Sequence, residues 1–322
     1  MSNNNLSSAK NTKNDEFYTQ YKDIANEVDA YVRYNKDVFR DKTILLPCDN
    51  FEVSNFTNFF IDNFEKFGIK KLISTCYLPQ SHGKMFVRDS HGENLVAELQ
   101  CDGDFRGEEI KNLRQEADLI ITNPPFSLYR EFIAWIFEYN KKFLVIGNKN
   151  SITYKEIFPL IMGNKLWSGA TRWSGGMWFY TEHDSSELSN VASTWFTNIE
   201  HGRRHEPLPL MTMNENLEKS KHKKIKENGY CKYDNYNAIE VPFSDAIPSD
   251  YSGPMGVPVT FLEKYNPDQF QIIGATESEG KGFSNGLWDE KSCISQPMVN
   301  GKRVYKRIFI IKKDTYFSLQ FS

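Results

Sequence analysis

The chain has 322 residues, enough to bury a sizeable core as one large domain or two. Its 25% charged and 39% apolar residues are ordinary for a globular protein, and no apolar run is long enough to span a membrane. A formal net charge of -3 excludes a uniformly basic nucleic-acid binder, so any such role must rest on local asymmetry.

Five widely separated cysteines include no Cys-x-x-Cys pair, and none stands at metal spacing from any of the 6 histidines. Cys48, Cys76 and Cys101 fall near expected strand ends, where a small buried thiol is the simplest reading. A reducing, cytoplasmic setting and a metal-free site are expected, since no secretory signal is present. Aromatic residues reach 14%, with 24 Phe and 16 Tyr, which provides stacking surfaces as well as core.

Residues 1–14 are rich in Asn, Ser and Lys and are expected to be disordered. A helical pattern follows with Ile24, Val28, Tyr31 and Val32 on one face. Thr43-Ile44-Leu45-Leu46 reads as a buried strand ending at Pro47-Cys48-Asp49-Asn50. Ser54 should cap a helix carrying Phe56, Phe59, Phe60, Phe64 and Phe67, and Gly68 should stop it. Lys71–Cys76 is a second strand, and Met85-Phe86-Val87 with Leu95-Val96-Ala97 reads as an inserted hairpin. A short charged helix over Glu108–Glu116 leads into the run Ala117-Asp118-Leu119-Ile120-Ile121-Thr122. This run stops abruptly at Asn123-Pro124-Pro125-Phe126, and a new helical pattern begins at Ser127. Phe143-Leu144-Val145-Ile146 is a further buried strand, and the alternation predicts a doubly wound, mostly parallel α/β sheet.

Beyond Asn150 the rhythm changes. A helix is expected over 154–162, then strands near Trp167, Trp178 and Trp195. Arg203-Arg204-His205 and the lysine-rich run 219–226 read as a basic region of low order. The basic end holds Lys302, Arg303, Lys306, Arg307, Lys312 and Lys313, with Val304, Arg307, Phe309 and Ile311 patterned as an amphipathic edge strand. The expected division is a 1–14 tail, a cofactor-binding sheet over 15–198 and a second, basic module over 199–322.

Four expected strand ends point to one crevice: Pro47-Cys48-Asp49, Thr75-Cys76, Asp104-Phe105 and Asn123-Pro124-Pro125-Phe126. The crevice has no Gly-rich turn for a dinucleotide and no phosphate loop. Its carboxylates, hydroxyls and rings suit a nucleoside-like cofactor without a pyrophosphate, such as S-adenosylmethionine. A bare Asn-Pro-Pro is as readily a strand terminator as an active site. Given a cofactor crevice, the Asn123 oxygen and the Pro124 carbonyl could accept both N–H bonds of a nucleobase amine, exposing its lone pair to a methyl group. Phe126 would stack on the base, which must first be flipped out of a duplex.

Phe17-Tyr18-Thr19, Asp104-Phe105 and Asn123-Pro124-Pro125-Phe126 resemble the ordered motifs of amino-group DNA methyltransferases. More specifically, Asp15-Glu16-Phe17-Tyr18-Thr19-Gln20-Tyr21, Cys101-Asp102-Gly103-Asp104-Phe105-Arg106, Ile121-Thr122-Asn123-Pro124-Pro125-Phe126-Ser127-Leu128, Tyr233-Asp234-Asn235-Tyr236-Asn237-Ala238-Ile239 and Met255-Gly256-Val257-Pro258-Val259-Thr260-Phe261-Leu262 resemble EcoRI-type adenine-specific modification methylases. The resemblance runs from about residue 15 to about 273 and is thin over 172–227, in the hairpin and in the tail.

The resemblance implies a Rossmann-like methyltransferase sheet with a C-terminal DNA-recognition module. It also implies adenine-N6 methylation of double-stranded DNA by direct transfer from S-adenosylmethionine, and a cognate restriction endonuclease that shares the site without being bound. Asn123, Pro124, Pro125 and Phe126 would be catalytic. Tyr18, Thr19, Pro47, Cys48, Asp49, Asp104 and Phe105 would bind the cofactor, and Arg203, Arg204, Lys302 and Arg303 would contact DNA. The sequence departs from most methyltransferases in two respects. Leu46-Pro47-Cys48-Asp49-Asn50 stands where a Gly-rich turn is usual, and Thr75-Cys76-Tyr77 stands where a ribose-binding acid is usual. The rival readings are an N4-cytosine, RNA or protein-glutamine methyltransferase, and a catalytically silent DNA-binding protein.

Overall fold

The computed structural model describes residues 17–173, 175–181, 184–277 and 282–313. The 1–14 tail and the Asp15-Glu16 head of the first motif lie outside the described residues. Two compact units are formed: the first runs to Ile157 and resumes over Leu166–Gly202, and the second joins Phe158–Lys165 to the chain from Arg203 onward.

In the first unit, strand β1 (Phe17–Thr19) leads into helix α1 (Tyr21–Tyr34), which buries Ile24, Glu27, Val28 and Tyr31. Strand β2 (Thr43–Leu46) is buried along its whole length. The expected phenylalanine helix is two helices, α2 (Asn55–Asp62) and α3 (Phe64–Phe67). They break at Asn63, whose side chain donates to the Phe59 carbonyl at 2.9 Å and so competes with the backbone pattern. Ser54 accepts from the amides of Phe56 and Thr57, while Gly68, at φ +64, closes α3 in the left-handed conformation. Strand β3 (Lys71–Cys76) is followed by the hairpin β4 (Lys84–Asp89) and β5 (Asn94–Glu98), then α4 (Glu108–Glu116), β6 (Leu119–Thr122), α5 (Tyr129–Glu138) and β7 (Lys142–Asn148).

The helix expected over 154–162 is only α6 (Phe158–Met162). Pro159 lacks an N–H and its ring excludes the carbonyl four residues back, so a helix can begin there but not run through. Strands β8 (Trp167–Ser168), β9 (Met177–Thr181), β10 (Asp184–Val191) and β11 (Ser193–Thr197) complete the first unit.

The large sheet has the order β5-β4-β3-β2-β6-β7-β11-β8. Only β3, β2, β6 and β7 are mutually parallel, whereas β4, β5, β11 and β8 add antiparallel edges. The sheet is therefore mixed, not mostly parallel as expected. The central strands are covered on both faces, which is why they read as unbroken apolar runs. Each buried Ile, Leu or Val there contributes about 1.5–3 kcal/mol by leaving water. β1, β9 and β10 form a separate three-stranded sheet.

The second unit contains α6, α7 (Met213–Lys219), α8 (Lys223–Asn228), β12 (Ile239–Glu240), β13 (Met255–Pro258), β14 (Phe270–Ala275), β15 (Met298–Val299), β16 (Lys302–Arg303) and β17 (Arg307–Lys312). The basic region expected to have low order is thus partly helical. Thr212 and Glu215 make a reciprocal capping box that starts α7. β17 is not an edge strand: it lies between β13 and β14, with Ile308, Phe309 and Ile310 all buried. No helix among the described residues is long and apolar enough to cross a membrane.

Candidate active site

The four parallel strands end on one edge of the sheet, and three of the expected site segments meet there within the first unit. After β2 the chain turns, and the Asp49 amide donates to the Thr75 carbonyl at 3.0 Å. Ser74 Oγ donates to the Asp49 carbonyl at 2.7 Å, and Thr75 Oγ1 to that of Pro47 at 3.3 Å. The Asp49 carboxylate is buried. Oδ1 accepts from Ser54 Oγ and Oδ2 from Thr122 Oγ1, each at 2.6 Å. Burial pushes this carboxyl up to about 6, against the two hydroxyls that favour its charged form. Asp49 thus ties the end of β2 to the cap of α2 and to the last residue of β6, directly before Asn123.

The tie extends to β1. Asn55, the first residue of α2, donates from Nδ2 to the Thr19 carbonyl at 2.8 Å, and Gln20 Nε2 donates to the Trp178 carbonyl at 2.8 Å. Thr19 lies opposite Phe179 in the β1–β9 pairing, and the Phe179 ring meets Phe126 edge-on with centroids 6.4 Å apart. The aromatic-Thr segment and the Asn-Pro-Pro-Phe turn are therefore linked twice, through the hydrogen-bonded run and through paired rings. Thr19 Oγ1 is buried and makes no hydrogen bond among the described residues.

Pro124 is buried, and Asn123, Pro125 and Phe126 are half-buried. The Leu128 amide returns to the Pro125 carbonyl at 3.0 Å, forming a short helical turn over Phe126–Leu128, so the regular helix begins at Tyr129 and not at Ser127. Tyr129 anchors that start against β7 and Phe196. The approach requires Gly147, because a Cβ there would overlap the Tyr129 ring.

Asp104 and Phe105 follow a different pattern. The Asp104 carboxylate accepts from the Arg106 amide at 2.8 Å and from its guanidinium. That hydrogen bond holds the carboxyl below its ordinary range, so it remains an ionised acceptor. Phe105 is buried edge-on against Phe132 and Trp135 of α5, with centroids 5.1 and 5.6 Å away. Cys48 is half-buried and Pro47 buried in the same turn as Asp49. Among the described residues no group of three or more His, Cys, Asp or Glu could hold a metal ion.

In the second unit, the arginines expected to contact DNA have internal partners. Arg203 pairs with Glu263 at 2.7 Å, and Arg204, 4% exposed, bonds Asn164. A phosphate contact needs an accessible guanidinium, so their setting is that of braces. Lys302 and Arg303 are exposed on β16.

Ser54, Asn55 and Thr122 were not expected in the site. The available signal was an Asp followed five positions later by a helix-capping Ser.

The family model described as adenine-specific methyltransferase EcoRI matches residues 5–313. The chain belongs to the EcoRI family of adenine-specific methyltransferases. Among relatives, Type II methyltransferase M.EcoRI of Escherichia coli is 40% identical over 96% of each chain. Type II methyltransferase M.MgeORF184P of Mycoplasma genitalium is 34% identical over 95% of this chain and 98% of its own. Type II methyltransferase M.MpnI of Mycoplasma pneumoniae is 34% identical over 82% and 83%. No solved structure matches the chain. The family match extends past residue 273, through β15, β16 and β17.

Proposed function

We propose that this enzyme methylates the N6 amine of an adenine flipped out of duplex DNA, with S-adenosylmethionine as donor. The observation that carries this reading is the hydrogen-bonded run Thr19–Asn55–Ser54–Asp49–Thr122, which joins the two motif segments and ends beside Asn123. The four central parallel strands support a Rossmann-like cofactor fold, and the second unit is read as the recognition module.

The residues fit the cofactor. A buried hydroxyl without a partner is unfavourable unless a ligand completes it, and Thr19 Oγ1 is such a group. Asp104 is an ionised acceptor suited to the exocyclic amine of the cofactor adenine, with Phe105 packed behind its turn. Tyr18 would lie at the methionine end, while Pro47, Cys48 and Asp49 form the floor of the crevice. Once bound, the cofactor supplies an electrophilic methyl group. The Asn123 side-chain oxygen and the Pro124 carbonyl accept from the target amine, turning its lone pair out of conjugation. Pro125 fixes the turn and Phe126 offers the stacking face. The reaction needs no covalent enzyme intermediate.

Lys302 and Arg303 are read as phosphate contacts, with Arg203 and Arg204 bracing the unit that carries them. The setting proposed is cytoplasmic, alongside a restriction endonuclease that shares the recognition site.

Thr19→Val should weaken cofactor binding about tenfold without lowering thermal stability, because it deletes an unsatisfied buried hydroxyl. Calorimetry checks this, and unchanged affinity would remove Thr19 from the cofactor site. The function itself is tested by methylating DNA with labelled cofactor and digesting it to nucleosides. Label in N6-methyladenine is expected, whereas label in N4-methylcytosine, or none in DNA, would overturn the reading.

A further inference from the structure

One segment that resembles the EcoRI-type methylases is put to a different use. Tyr233-Asp234-Asn235-Tyr236 lies in the second unit; Asp234, Asn235 and Tyr236 bond the segment 294–301 directly, and Tyr233 reaches Arg307 through Glu240. Asp234 Oδ1 accepts from the Asn300 amide at 3.1 Å and Oδ2 from that of Gly301 at 2.8 Å. Asn235 Nδ2 donates to the carbonyls of Ile294 and Gln296 at 2.6 and 2.9 Å, while its Oδ1 accepts from the Met298 amide at 3.0 Å. The Tyr236 hydroxyl donates to the Ser295 carbonyl. The Tyr233 hydroxyl donates to Glu240, whose carboxylate also takes two hydrogen bonds from Arg307, at 2.6 and 3.0 Å. Arg307 Nη1 in turn donates to the carbonyls of Tyr305 and Lys306 at 3.1 and 3.3 Å.

What this clamp holds is a hairpin of β15 and β16. Its turn residues Asn300 and Gly301 have φ of +50 and +72, the pairing that a tight two-residue turn demands. Inward-facing parts of the segment are used by the fold, as Val304 packs on the cluster of Tyr233, Tyr236 and Phe309. The outward parts are not. Tyr305 is 88% exposed, and Lys302, Arg303 and Lys306 are exposed without ion-pair partners among the described residues. Three motif side chains, and Tyr233 through the buried Arg307–Glu240 pair, thus fix the backbone that carries an exposed ring and three exposed cations. Preordering removes much of the entropy that binding would otherwise consume. A polyanion with flat apolar faces is the partner that matches one ring among three cations in a chain of net charge -3. A two-stranded ribbon of this kind also has the width of the DNA major groove.

We propose that the clamped hairpin and Tyr305 form a DNA-contacting element, with Lys302, Arg303 and Lys306 on phosphates and the Tyr305 ring packed against a nucleotide. The proposal rests on the reading of duplex DNA as substrate. Its test uses the full-length enzyme, a fluorescein-labelled duplex and anisotropy titrations over a range of salt. Tyr305→Ala should weaken DNA binding about ten- to a hundredfold, and Tyr305→Phe should restore it. The Lys302→Ala/Arg303→Ala double variant should reduce the salt slope by about two. Cofactor affinity and thermal unfolding should stay at wild-type values in the Tyr305 variants. If the wild-type enzyme methylates DNA and these variants bind like it, the hairpin is overturned while the function stands. If the wild-type enzyme methylates no DNA, the reading beneath the proposal falls with it.

Discussion

Asn123→Ala should slow methyl transfer by about a hundred- to a thousandfold, the effect of removing one preorganised dipole from a developing charge. Cofactor affinity should change little, because the run that lines the expected cofactor crevice reaches Asn123 only at its end. The loss should appear in single-turnover transfer with DNA in excess, since an acceptor acting on the reacting amine alters the chemical step. Near-normal single-turnover rates would detach Asn123 from the chemistry and leave the turn as a strand terminator.

The second large effect is expected at Asp49, and it depends on pH. Its carboxyl is raised to about 6 in the folded chain, from an ordinary 3.8. The folded state therefore holds this proton more tightly than the unfolded state. Stability from this group is fully present below pH 4 and is lost as pH rises through 6, by about 3 kcal/mol in all. Asp49→Asn, which cannot titrate, should flatten that part of the profile, and urea unfolding at pH 4.5 and pH 7 measures it. Parallel profiles for the variant and the wild-type enzyme would show that the charge is not strained by burial. Asp49→Ala goes further, leaving the hydroxyls of Ser54 and Thr122 without their acceptor at about 1–3 kcal/mol each. It should also slow methyl transfer, because Thr122, the residue before Asn123, loses the carboxylate that holds it.

Features set by neighbours in sequence were legible in advance. The apolar runs at Thr43–Leu46 and Leu119–Thr122 could be read because burial on both faces leaves no room for polar residues. Ser54 and Gly68 could be read because caps are local chemistry. The Thr212–Glu215 box was equally local, but the lysines after it drew the reading towards loop. Hidden features depend on distant partners. Nothing near Thr19 indicates that Phe179 will lie opposite it. Nothing near Arg203 or Arg204 reveals Glu263 or Asn164, so two braces looked like free cations. The same holds for Arg307, which reads as one side of an edge strand and is instead buried on Glu240. The site was legible as a set of motifs because each is contiguous. The Asp49 tie between them was not, because it joins residues 73 positions apart.

The excursion of Phe158–Lys165 constrains how the second unit of this chain can be exchanged for another. The chain leaves the first unit after Ile157, returns at Leu166 and departs again after Gly202. Helix α6 belongs to the second unit, where the Phe158 ring lies 5.1 Å from that of Phe283. A gene cut at Gly202 would therefore strand an apolar helix on the wrong fragment. Recombination cannot exchange the second unit as a simple C-terminal cassette, since two separate stretches must be replaced together. An exchange of the second unit in this chain therefore has to carry 158–165 along with the stretch from Arg203 onward.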